Sequence, residues 1–149
     1  MKKILLLALF LGLVSSCKKN ENPIAAQEHF EAEGLFLLNT KKDTVIYYFQ
    51  GKLRSGDTLS AQLNSVSENL DVYFLDATKK TINPPIDEPD HSLGIVVVDT
   101  SIVKVELSSG LKYSIKHTGK KLGSTSLELQ LLHLGHPDFR TIPIPIKVK

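Results

Sequence analysis

The chain has 149 residues, of which 42% are hydrophobic and 23% charged, with one Cys, no Trp and a formal net charge of +2. That is about one domain's length, too apolar for a disordered polymer and too charged for a polytopic membrane protein. A lone Cys excludes an intrachain disulfide and a cysteine-built zinc site. Setting aside Lys2 and Lys3 leaves sixteen basic and sixteen acidic residues. Nucleic acid, which needs a clustered positive face, is therefore not an expected partner.

Lys2 and Lys3 precede an apolar run of 11 residues, Ile4 to Val14, followed by Ser15-Ser16-Cys17. At about 1.5 Å per residue the run is too short to span about 30 Å of hydrocarbon, and it suits the h-region of a signal peptide. Val14-Ser15-Ser16-Cys17 resembles the lipobox of bacterial lipoproteins. The resemblance implies that residues 1–16 are a type II signal peptide and that Cys17 becomes a diacylglycerol-linked N-terminus. The only thiol is thereby consumed, and two or more acyl chains make the anchor stable. Lys18 follows the Cys, where an Asp would favour the inner membrane, so the expected location is the outer membrane, on either its periplasmic face or the cell surface. Lys18-Lys-Asn-Glu-Asn22 is also similar to the flank of lipoproteins of the Bacteroidota.

Residues 17–31 carry the lipid and a polar tether containing Pro23, with a reach of about 20 Å. From residue 32 the hydrophobic period is two. Strands are predicted over 34–39, 43–50 and 58–64, with Ser55-Gly56-Asp57 a turn. Further strands are expected over 70–74, 95–98 and 102–107. Leu111, Tyr113 and Ile115 make one inward row, and Leu127, Leu129 and Leu131 another. Ile142, Ile144, Ile146 and Val148 share a face of the last strand, opposite Pro143 and Pro145. Proline lacks the ladder N–H, which predicts an edge strand or pairing on one side only. Asp76 to Ser92, with Asn83-Pro84-Pro85 and Asp87-Glu88-Pro89-Asp90-His91, reads as a long, acidic, proline-stiffened loop. The pattern as a whole predicts an all-β sandwich of about 7–9 strands over 32–149.

Ser55-Gly-Asp-Thr-Leu59, Val98-Asp-Thr-Ser-Ile-Val-Lys-Val105 and Gly123-Ser-Thr-Ser-Leu127 resemble strand-opening motifs of the group 2 bacterial Ig-like domains, over roughly residues 55–148. The family's frequent strand Trp is absent, with Val97 near its place. The resemblance implies an Ig-like sandwich used for display, spacing or adhesion.

No Gly-x-Ser-x-Gly, phosphate-cradling Gly-rich loop or His-Glu-x-x-His is present, so an enzyme is not expected. The leading expectation is a non-enzymatic, membrane-anchored binding or structural module. Its partner, an envelope protein or glycan, would be met by the loop carrying Asp87, Glu88, Asp90 and His91. A second reading rests on His133, His136 and Asp138. His133 continues the inward row of Leu127, Leu129 and Leu131, Gly135 allows a sharp turn, and two imidazoles and a carboxylate within six residues can bind Zn²⁺ or Cu²⁺. His91 and His117 are further donors of unknown place. The same residues also read as structure, with His133 at the core edge, Asp138 capping N–H groups and Phe139 plugging the sandwich end. A third reading is a carbohydrate-binding surface built from Tyr47, Tyr48, Tyr73 or Tyr113.

Overall fold

The computed structural model describes residues 30–149; the expected signal peptide, Cys17 and most of the expected tether lie outside the described residues. Eleven strands and no helix are found among these: β1 (Gly34–Leu38), β2 (Thr44–Phe49), β3 (Lys52–Ser55), β4 (Leu59–Ala61), β5 (Leu70–Leu75), β6 (His91–Val97), β7 (Val103–Leu107), β8 (Ser114–Gly119), β9 (Gly123–His133), β10 (His136–Arg140) and β11 (Ile144–Val148). The expected all-β sandwich is present, with two strands more than the alternation shows. β3 is short, and only Leu53 in it is even half-buried. β10 contains Pro137 and a bulge, which hide its alternation.

One sheet has the order β3-β2-β1-β5-β8-β7. The other is built on the long strand β9. β6 pairs along one side of it, from Val97–Leu127 to His91–His133. β11 and β10 share the other side, β11 opposite Gly123–Leu127 and β10 opposite Gln130–His133. Inward rows from both sheets meet in one core that includes Leu35, Ile46, Phe74, Leu127, Leu129 and Ile146. Phe139 of β10 stands edge-on to Phe74 and Tyr48 of the opposing sheet, with ring centroids 5.7 and 5.8 Å away. It therefore closes the end of the sandwich. Gly119 lies where the sheets meet: a Cβ there would come within 2.5 Å of the Gln62 carbonyl.

Three expectations are corrected. β11 is not paired on one side only, because β4 lies parallel to it from Ile146 to Val148. The prolines are tolerated because β4 is three residues long, so Pro145 has only β9 beside it. Ile142 precedes the strand and is exposed. The stretch 76–92 is not a free loop: His91 and Ser92 already belong to β6, and the rest is a strap laid on β5. β8 covers β5 only at Leu70 and Asp71. Beyond that point Ile82 N–H donates to the Phe74 carbonyl at 3.0 Å. Asn83 imitates a strand residue, its Oδ1 accepting from Phe74 N–H and its Nδ2 donating to the Val72 carbonyl, each at 2.8 Å. Lys112 Nζ donates to the carbonyls of Pro85, Ile86 and Glu88 and holds the strap's tip.

Candidate metal centre

Alternation carries the inward row of β9 through Leu127, Leu129 and Leu131 to His133. The same rule on β6 runs back from Leu93 to His91, so both strands end in an inward histidine. The register pairs His91 with His133, and their rings stack at 4.5 Å with planes 8° apart. Leu134 and Gly135, both at positive φ, make the two-residue turn into β10. The bulge between Pro137 and Phe139 then turns Asp138 toward the pair. Asp138 Oδ2 lies 3.8 Å from His133 Nδ1, and its side chain is 3% exposed.

His91, His133 and Asp138 thus offer one donor atom each, all within 4.8 Å of one another. A tetrahedral zinc site with bonds of about 2.0–2.1 Å separates its ligands by about 3.3 Å. Movements of about 1–1.5 Å, with a tilt of the two stacked rings so that their in-plane lone pairs converge, would close this set around an ion. Both ring nitrogens of His91 and Nδ1 of His133 are buried with no hydrogen-bond partner. Two nitrogens and one carboxylate oxygen suit Zn²⁺ or Cu²⁺.

The surroundings are built from other segments. Phe30 N–H donates to Asp138 Oδ2 at 3.0 Å, and the Phe30 ring meets His91 edge-on at 5.6 Å. Glu88 Oε2 lies 3.4 Å from His91 Nδ1, an ion-pair approach that makes no hydrogen bond. Burial pushes the Tyr113 hydroxyl up to about 12, with the Glu88 charge adding to the effect. Leu134 N–H donates to the Asp90 carbonyl at 2.7 Å and ties the strap's end to the β9–β10 turn.

The structure brings His133 and Asp138 together as the sequence suggests, but it replaces His136. That residue flanks the turn, exposed and outside the grouping, while the third donor comes from another strand. His91 was grouped above with Asp87, Glu88 and Asp90 in a partner-binding loop. It is buried, Asp87 and Asp90 are exposed, and the four do not form one surface. Continuing the Leu93–Ile95–Val97 alternation two residues back would have found it. His117 sits on β8, buried, with Nε2 3.1 Å from the Ser60 carbonyl. Of the tyrosines, Tyr48 and Tyr113 are in the core. Tyr47 and Tyr73 flank Phe36 on the outer face of three adjacent strands, in the register Tyr47–Phe36–Tyr73.

No protein-family profile matches the chain. No curated protein matches it by sequence. Among solved structures it is similar to the S-layer protein SbsC, domains 4 and 5, with a TM-score of 0.46 and 14% identity over 63% of this chain and 48% of that one. Domains 5–6 of the same S-layer protein give a TM-score of 0.47 and 14% identity over 64% of this chain and 41% of that one. The Lin-41 filamin domain gives a TM-score of 0.37 and 16% identity over 64% of this chain and 88% of that one. The chain thus spans less than half the length of these two S-layer structures.

Proposed function

We propose that this chain is a lipid-anchored, non-enzymatic module of the outer membrane that holds a Zn²⁺ or Cu²⁺ ion through His91, His133 and Asp138. One observation carries the metal reading: two stacked imidazoles are buried beside a carboxylate with three ring nitrogens unpaired. Burying a polar group without a partner costs about 1–3 kcal/mol, which an ion would offset. The anchor rests on the Lys-Lys, apolar and Val14-Ser15-Ser16-Cys17 signals of the sequence, with Phe30 packed at the root of the domain that follows.

The test is metal content and titration on protein purified without a polyhistidine tag. Stoichiometric binding is expected in wild type and in His136→Ala, and its loss in His91→Ala/His133→Ala. Wild-type affinity in that double variant would sink the site. Labelling with radioactive palmitate, lost in Cys17→Ser, tests the anchor.

A second reading is supported by the row Tyr47–Phe36–Tyr73. Strands lie about 4.8 Å apart, so the row presents three rings over about 10 Å, a platform on which sugar rings of a glycan can stack. Glycan-array binding lost in Tyr47→Ala/Tyr73→Ala is the expected outcome; an array without hits removes this reading.

A further inference from the structure

We propose that the metal acts as a clasp, fastening the root of the domain at Phe30 and the strap's end at Glu88 to the second sheet; this rests on the metal reading above. The donors and their supports come from separate stretches of chain. Phe30 lies outside both sheets, and the first ladder bond of its segment is made by Glu33, whose N–H donates to the Leu75 carbonyl at 2.8 Å. Besides its packing against the core, Phe30 meets the second sheet through its N–H on Asp138 and its ring on His91. Both partners are metal donors. An ion that fixes the Asp138 carboxylate and the His91 ring therefore fixes the two contacts that seat Phe30.

The strap is held in the same way. Metal-ligating histidines donate the other ring N–H to a carboxylate or carbonyl, which sets tautomer and ring orientation. Glu88 is the carboxylate at His91 Nδ1. With the ion on Nε2, Nδ1 carries its proton toward Glu88, and the 3.4 Å approach becomes a charge-assisted hydrogen bond. Glu88 is then a positioning residue, and the ion reaches the strap through it. The neighbouring Asp90 carbonyl is already tied to Leu134, between the donors His133 and Asp138. Occupancy thus couples the root, the strap and the β9–β10 hairpin, while the β7–β8 hairpin takes no part.

The experiment is hydrogen exchange followed by NMR on the full chain in detergent, with Zn²⁺ binding measured in parallel by calorimetry. If Phe30 is freed only when the ion leaves, free Zn²⁺ at one hundred times its dissociation constant slows exchange of the Phe30 amide about 100-fold. Amides of β7 and β8 keep their rates. Glu88→Gln, a change on a half-exposed side chain that spares the core, is expected to weaken Zn²⁺ about 10–100-fold and reduce protection in step. Stoichiometric Zn²⁺ binding with an unchanged Phe30 rate overturns the clasp and leaves the metal site standing. No Zn²⁺ binding overturns both. Wild-type affinity in Glu88→Gln removes the strap from the clasp. Slowing that persists in His91→Ala/His133→Ala places the ion elsewhere and overturns the proposal.

Discussion

Replacing His91 by Leu separates what the imidazole does for the fold from what it does for a metal. In the metal-free protein both of its ring nitrogens are buried without hydrogen bonds, a burden of about 1–3 kcal/mol. The change gives up the edge-on contact with Phe30 and the stacking on His133, each worth about 0.5–1.5 kcal/mol. It also gives up the approach to Glu88, which is 39% exposed and heavily screened. Leucine keeps apolar contact with the core beside it. These terms nearly cancel, so the net expectation in EDTA is a change of less than about 1 kcal/mol, or within about 4 °C in Tm for a domain of this size. With Zn²⁺ at one hundred times its dissociation constant the wild type gains about 2.7 kcal/mol, about 10 °C, and rises above the variant, which does not move. Thermal unfolding in EDTA and in Zn²⁺ reads both arms. A fall of more than a few degrees in EDTA would mean the imidazole supports the fold, and a zinc shift surviving in His91→Leu would mean it is not a ligand.

Asn83→Ala removes both side-chain hydrogen bonds to β5 and is expected to cost about 2 kcal/mol in urea unfolding; an unchanged midpoint would show that the strap contributes no stability. Phe139→Ala opens the end plug between the sheets and should cost about 3–5 kcal/mol by the same assay, and a loss below 1 kcal/mol would mean the end collapses without it. Burial holds His117 below its ordinary value of 6.5, a hydrogen bond to the Ser60 carbonyl only partly opposing it. The unfolded chain therefore takes up the proton first, and stability falls as pH drops from 6.5 toward the lower folded value. His117→Gln is expected to flatten that fall between pH 7.5 and 5.5; an unchanged slope would assign the loss to other groups.

Local pattern made most of the sandwich legible, because strand alternation is written residue by residue. The row ending in Leu131 is read this way, while the turn at Gly135 and the plug at Phe139 follow from residue type. What stayed hidden depends on pairing. Nothing local says that β6 ends opposite the end of β9, so His91 seemed a loop residue and the nearby His136 took its place. Asp138 is aimed by a bulge, which breaks the alternation that would have announced β10. Asn83 looked like part of a proline-rich loop because its strand-like role is played by a side chain and not by the backbone.

The parallel pairing of β4 with β11 has a kinetic consequence. Leu59 finds its partner in Ile146, and until that residue is in place the short β4 segment has no ladder to join. The lower half of β9 is equally bare, since Gly123–Leu127 is covered by β11 on that side. Closing so long a loop is entropically costly, and topologies dominated by such pairings fold in about milliseconds to seconds. A chain that cannot complete its sheet early leaves strand edges unpaired while it is being made. Pro143 and Pro145 then serve that interval as well, because a proline-bearing segment is a poor template for a strand from another molecule.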